Sequence, residues 1–229
     1  VIGLVDSDIL CYRVGFASND EAESMALQTM DGSISDLMME EGVLDVMSFE
    51  FYLTGKTNFR NDIAVTRPYK GNRKSEKPVH LQALRDYLVD EYGAVVSEGN
   101  EADDMMAIRQ TELGDDSIII SLDKDLDMVK GWHYNFVKHE KYYITAEQGQ
   151  LKFYTQILTG DKVDNIQGVH RCGPKKAEKI LQDCETELDM WEAVVEAHGS
   201  EERALEDARL LWMQTKEGEL WLPPNQRGE

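Results

Sequence analysis

At 229 residues with 41% hydrophobic content, the chain suits one ordinary domain or two small ones and has enough apolar side chains for a core, which sets disorder aside. No apolar run approaches the roughly 20 residues of a membrane span, and no secretory leader pattern is visible. A formal net charge of −20 excludes a uniformly basic surface, so any contact with a polyanion must be confined to local patches.

Val1–Val5 is a short apolar run ending in Asp6-Ser7-Asp8 and reads as a buried strand that delivers acids at its C-terminal end. Because the chain opens inside that strand, residues upstream of Val1 are expected. Residues 20–45 read as polar helix with a break at Asp31-Gly32, and Val46–Leu53 as a second strand closed by Thr54-Gly55. Residues 56–79 are poor in hydrophobics and rich in charge, which predicts a loop or mobile segment. Leu81–Tyr92 places Leu81, Leu84, Tyr87 and Leu88 on one face, the pattern of an amphipathic helix. Ala94–Val96 is a third strand, Glu101–Leu113 a helix, and Ser117–Ser121 the strongest strand signal in the chain. Alternating strand and helix predicts a parallel α/β sheet through about residue 145. Helices then dominate: 153–159, a pair around a glycine loop, 187–197 and 201–215, with Glu219–Leu222 a strand or extended tail.

Charge is distributed unevenly. Val14 to Gly55 holds nine acids and no Lys or Arg, and residues 183–207 hold ten acids against the single Arg203. Residues 67–77 instead carry Arg67, Lys70, Arg73, Lys74 and Lys77, and residues 171–179 carry Arg171, Lys175, Lys176 and Lys179. Either patch alone suits a solvated surface; two such patches also suit a phosphate backbone held locally. The cysteines Cys11, Cys172 and Cys184 are odd in number and lack metal-site spacing, which favours a reducing cytoplasm.

Residues 157–181 are the most informative stretch. Asp161 and Asp164 are followed by Gly168 and Gly173 and then by Lys175, Lys176 and Lys179. Glycines admit a phosphate close to backbone N–H groups, and a helix N-terminus carries partial positive charge. The pattern describes a grip on nucleic-acid backbone that reads no bases. A plain inter-helix turn is the simpler alternative.

In a parallel α/β sheet, ligands bind beyond the carboxyl ends of the strands. Asp6 follows the first strand, Glu101, Asp103 and Asp104 the third, and Asp123 and Asp125 the fourth. Carboxylates gathered there would repel one another, and a pair of Mg²⁺ ions about 3.5–4 Å apart would relieve that and serve phosphodiester hydrolysis. The same acids have plainer uses, since 101–104 suits a helix N-terminus and Asp6 an N-cap. Residues 123–127 lack the glycine and closing glutamate of an EF-hand.

The chain resembles the flap-endonuclease and 5′→3′ exonuclease family, in particular its free-standing phage members. The likeness rests on Tyr69-Lys70-Gly71-Asn72-Arg73, Glu101-Ala102-Asp103-Asp104, Asp123-Lys124-Asp125 and Gly160–Lys179, with Ala208–Pro223 similar to the phage branch. It implies an α/β fold: a PIN-like parallel sheet core with helices on both faces over residues 1–150, including an arch segment at 56–80. A helix–three-turn–helix (helix–hairpin–helix) DNA-binding module with C-terminal helices would occupy residues 151–229. The resemblance gives one metal site to Asp6, Glu101, Asp103 and Asp104, and a second to Asp103, Asp123, Asp125, Asp161 and Asp164. Two Mg²⁺ ions, with Mn²⁺ able to substitute, would fill them, and a K⁺ ion would sit on the glycine-loop carbonyls. Lys70, Arg73, Asp103 and Asp123 would carry catalysis. Tyr69, Lys70, Arg73, Lys74, Gly168, Arg171, Gly173, Lys175, Lys176 and Lys179 would contact DNA.

The implied function is 5′→3′ exonuclease or 5′-flap endonuclease action on duplex DNA in phage replication or recombination. It belongs to a cytoplasmic monomer without membrane contact, with other replication proteins as open partners. Relatives commonly carry a metal-site aspartate after the second strand, where this chain has Thr54-Gly55-Lys56, with Gly55 the best match. Two rivals stay open: a PIN-type ribonuclease, and a member that has lost its metals and only binds flap structures.

Overall fold

The computed structural model describes residues 1–39, 45–74 and 76–227. β1 (Ile2–Asp6) lies inside a six-stranded sheet of order β3-β2-β1-β4-β5-β6. It pairs in parallel with β2 (Ser48–Leu53) and β4 (Ser117–Ile120), and β2 pairs in parallel with β3 (Val95–Val96). Burial on both sides explains the unbroken aliphatic runs of β1 and β4. Register puts Leu4 beside Ile119 and Val5 beside Ile120. Val5, Ile118 and Ile120 join one hydrophobic cluster with α1 (Ser7–Ala17), α2 (Glu23–Met38) and α4 (Leu81–Tyr92). Leu4 and Ile119, buried outside that cluster, point the other way, toward the face covered by α5 (Ala102–Leu113). Helices therefore cover both faces, as expected.

Two strands escape the sequence reading. β5 (Gly131–Asn135) adds in parallel to β4, and β6 (Glu140–Ile144) closes the edge antiparallel to β5. Their aromatic and charged side chains carry no aliphatic run, because β6 is a partly exposed edge. The sheet is thus mostly, and not wholly, parallel. α2 also corrects an expectation: it runs unbroken through Asp31-Gly32. Ala26, Met30, Ile34 and Leu37 bury one stripe, and a Cβ at Gly32 would meet nothing within 4 Å. An exposed helical glycine costs only about 1 kcal/mol, which that stripe outweighs. Residues 40–44 of the expected 20–45 helix lie outside the described residues. α4 matches its expected span and ends at Gly93, in the left-handed region at φ 64°.

The chain divides into two compact units, Val1–Asn58 with Ser75–Thr145, and Phe59–Lys74 with Ala146–Glu229. The second is helical: α3 (Arg60–Ile63), α6 (Ala146–Thr159), α7 (Pro174–Leu181), α8 (Glu187–His198) and α9 (Glu201–Leu211). α6 starts earlier than expected and α9 stops short of residue 215. Arg60, 1% exposed, explains that stop. Its Nε donates to the Leu210 carbonyl at 2.8 Å and its Nη2 to the Trp212 carbonyl at 2.6 Å, satisfying groups that another helical turn would use. Glu219–Leu222 forms no strand; Trp221 instead inserts among Phe153, Tyr154 and Trp191. Among the described residues no helix is long and apolar enough to cross a membrane.

Candidate functional site

β1, β2, β3 and β4 run parallel, so their C-terminal ends share one edge of the sheet unit. Asp6 ends β1 and caps α1, its Oδ1 accepting the Ile9 N–H at 3.2 Å. Its Oδ2 accepts the Ser121 hydroxyl at 2.7 Å, and Ser121 Oγ accepts the Asp123 N–H at 2.9 Å. One hydroxyl therefore ties the end of β1 to the acidic turn after β4. Asp6 is 3% exposed, and burial pushes its carboxyl up to about 7; the Ser121 and Ile9 hydrogen bonds oppose this, while the charges of Asp8 and Asp123 add to it.

Glu101 and Asp104 form a capping box at the start of α5, with Asp104 Oδ2 accepting the Glu101 N–H at 3.0 Å and the Glu101 side chain accepting the Asp104 N–H. Both are buried, and Asp103 between them is half-buried. Asp123 caps a short 3₁₀ turn (Lys124–Met128) and accepts the Asp125 N–H at 2.8 Å. Asp127 accepts the Tyr142 hydroxyl at 2.8 Å, anchoring that turn to β6. The capping uses weighed for Asp6 and for residues 101–104 are therefore real. They coexist with the position of these acids after parallel strands whose carboxyl ends share one edge of the sheet. The donors are all carboxylates, a hard-oxygen set suited to Mg²⁺ or Mn²⁺ rather than zinc. Among the described residues no group of three His, Cys, Asp or Glu side chains is packed closely enough to enclose a metal ion.

Two participants carried no signal of their own in the sequence. Ser121 is legible only as a serine ending a strand. Arg85 projects from the polar side of α4; its Nη1 pairs with Asp8 Oδ1, and its Nη2 donates to the Thr54 carbonyl at 2.5 Å. Asp8 Oδ2 accepts the Thr54 N–H at 2.8 Å. A guanidinium thus stands at the end of β2, where an acid was expected. Gly55 has a steric origin: a Cβ there would fall far inside contact with the Ser97 carbonyl oxygen. No aspartate fits at that backbone position.

In the helical unit, Gly160 (φ 67°) and Gly168 (φ 61°) back onto each other. A Cβ on Gly160 would sit 2.5 Å from the Ile166 oxygen, and one on Gly168 would sit 2.6 Å from the Thr159 carbonyl carbon. Between them, Asp161 and Ile166 exchange backbone bonds of 2.9 and 2.7 Å. Asp161 Oδ1 accepts the N–H groups of Val163 at 2.6 Å and Asp164 at 3.2 Å. Gly173 differs from both other glycines. It caps α7 in ordinary extended backbone, and a Cβ there would meet nothing within 4 Å. Its missing side chain leaves the start of α7 approachable. Arg171, Lys175, Lys176 and Lys179 are exposed around it, while Ala177 and Leu181 bury the opposite stripe.

Tyr69, Lys70, Arg73 and Lys74 belong to this helical unit. Asp164 accepts from the Tyr69 hydroxyl at 2.8 Å and from Arg73 Nη2 at 2.6 Å, with Lys70 Nζ at 3.7 Å. Tyr69 is buried and Lys74 exposed.

No family model matches the chain. A 5′–3′ exonuclease of Buchnera aphidicola is 30% identical over 201 residues, covering 78% of this chain and 69% of that protein. DNA polymerase I of Bacillus caldotenax is 29% identical over 229 residues, and the chain spans 25% of its length with 86% of its own. Flap endonuclease Xni of Shewanella piezotolerans is 26% identical over 163 residues, covering 62% of this chain and 63% of that protein. Among solved structures, the T5 D15 protein co-crystallised with metal ions shares the fold at TM-score 0.69 and 20% identity, over 92% of this chain and 88% of that one. The catalytic core of Rad2 in complex with DNA substrate does so at TM-score 0.53 and 15% identity, over 83% of this chain and 62% of that one.

Proposed function

The chain belongs to the 5′–3′ exonuclease and flap endonuclease family, and on that premise we propose that it hydrolyses phosphodiester bonds at 5′ ends of duplex DNA and at 5′ flaps. The observation that carries the reading is the tie through Ser121, which holds Asp6 and Asp123 at neighbouring strand ends where Asp6 resists ionisation. A buried carboxylate that cannot comfortably ionise beside other carboxylates is the electrostatic need a divalent cation meets.

Asp6, Glu101, Asp103, Asp104, Asp123 and Asp125 are the residues that would hold Mg²⁺ in the sheet unit, with Mn²⁺ able to substitute. A hard cation that keeps several of its waters asks for few direct protein ligands, which is the form of binding proposed for these acids. A bound pair of such ions supplies activation of the attacking water and neutralisation at the leaving oxygen. The protein's own groups do the rest. Ser121 orients Asp6, and the capping box fixes Glu101 and Asp104 without side-chain freedom. In the helical unit Asp161 is the candidate cation ligand. Lys70 and Arg73 offer positive charge to phosphoryl oxygens, where charge grows in the transition state. The open N-terminus of α7, with Arg171, Lys175, Lys176 and Lys179, grips duplex backbone without base readout. A K⁺ ion on the glycine-loop carbonyls and a place in phage DNA replication or recombination belong to the same proposal.

Product sizing on a 5′-labelled blunt duplex, a 5′ flap, a closed circle and matched RNA substrates, each with and without EDTA, tests it. The expected result is short 5′ products from the duplex and flap, none from the circle, less from RNA, and none with EDTA. Equal cutting in EDTA removes the metal mechanism, and preference for RNA favours the ribonuclease alternative.

A further inference from the structure

The family resemblance makes Asp161 and Asp164 equivalent cation ligands, but their surroundings differ. Asp161 lends Oδ1 to its own loop, and its Oδ2 has no partner among the described residues. Asp164 is engaged on both oxygens. Oδ1 accepts from Arg73 at 2.6 Å, and Oδ2 accepts from the Tyr69 hydroxyl at 2.8 Å with Lys70 Nζ at 3.7 Å. Its side chain is 18% exposed, so these contacts are partly shielded from water. Placing Mg²⁺ on Asp164 would set a divalent charge against a guanidinium and an ammonium already there.

The backbone reinforces the same attachment. The Lys70 N–H donates to the Asp164 carbonyl at 3.0 Å, Asn72 Nδ2 to the Lys162 carbonyl at 2.6 Å, and Asn165 Nδ2 to the Pro68 carbonyl at 2.9 Å. Lys70 and Asn165 both hold left-handed backbone, at φ 54° and 63°. Such a conformation strains a lysine and persists only where neighbours over-determine it. The Lys70 ammonium also lies 4.9 Å from the centre of the Tyr69 ring.

The geometry points to a division of labour: Asp161 keeps an oxygen available for a cation, while Asp164 is a positioning residue that orders Tyr69, Lys70 and Arg73 for the phosphate. This assignment rests on the nuclease reading above and sharpens it. Asp164 acts through the two cations, and its own carboxylate touches neither metal nor DNA.

The test compares Asp164→Asn and Asp164→Ser with wild type, using Mn²⁺ alone as probe on the full chain without DNA. Calorimetry of Mn²⁺ is expected to stay within about threefold of wild type for both variants, with Asp123→Ala setting the scale of a lost ligand. Turnover on 5′-labelled duplex is expected to fall about 100-fold, the cost of a misplaced reacting group. A double-mutant cycle separates positioning from general damage: on an Arg73→Ala background, Asp164→Asn is expected to cost less than about threefold, because residues acting together are not additive. A tenfold or larger loss of Mn²⁺ affinity in both variants, or full additivity with Arg73→Ala, overturns the assignment. If wild type cuts none of the DNA substrates, the nuclease reading fails instead, and the Mn²⁺ comparison still decides whether Asp164 is a ligand.

Discussion

Replacing Asp6 by Asn is expected to stabilise the metal-free protein while destroying its chemistry. Burial holds the Asp6 carboxyl at about 7, against an ordinary value of 3.8 in the unfolded chain. A folded-state pKa above the unfolded one means the folded chain binds the extra proton between those values. Stability therefore falls as pH rises from about 4 to 7 and is level above that. A shift of about three pKa units corresponds to a penalty of a few kcal/mol at pH 8 and less than half of that at pH 5. Asn is isosteric with the protonated acid: its oxygen can still accept from Ile9, and its amide can face Ser121 Oγ. The assay is thermal unfolding in EDTA at pH 5 and pH 8. At about 2–4 °C per kcal/mol for a chain of this size, the variant is expected to melt several degrees above wild type at pH 8, with the gap more than halved at pH 5. Saturating Mg²⁺ should recover wild type and leave the variant unchanged. A variant that melts lower at pH 8, or a gap independent of pH, would refute the reasoning.

Gly55→Ala is expected to lose about 2–3 kcal/mol in urea unfolding, because its Cβ would overlap the Ser97 carbonyl and neither backbone can yield. Gly55→Asp should be at least as damaging and should add no cation affinity by calorimetry. Gly168→Ala combines a φ of 61° with overlap against residues 159–160, so duplex affinity in a filter-binding assay should fall at least tenfold. Gly173→Ala, with open space ahead of its Cβ, should keep its melting temperature and show only weakened duplex binding. Ser121→Ala removes a hydrogen bond that lowers the Asp6 pKa, so the acidic limb of the pH–rate profile should move to higher pH.

The acids at strand ends could be found in the sequence because each follows an apolar run, and the parallel strands then put those ends along one edge of the sheet. The partition of their duties could not. Asp161 and Asp164 look alike at a spacing of three, and only the return of residues 68–73 onto that loop tells them apart. Arg85 and Asp8 are 77 residues apart, so no local pattern announces the ion pair that occupies the end of β2. β5 and β6 were illegible for a different reason, since their aromatic and charged side chains mimic a loop until a neighbouring strand supplies the pairing. The glycine loop was legible as a motif, yet its three glycines serve different ends. Gly160 and Gly168 exist for each other, whereas Gly173 has open space where a Cβ would sit.

Anomalous diffraction from crystals soaked in Mn²⁺ tests the central claim most directly. The account predicts manganese peaks at the carboxyl ends of β1 and β4, within water-bridged reach of Asp6, Glu101 and Asp123. Crystals that bind manganese at other sites and leave that edge of the sheet bare would contradict it.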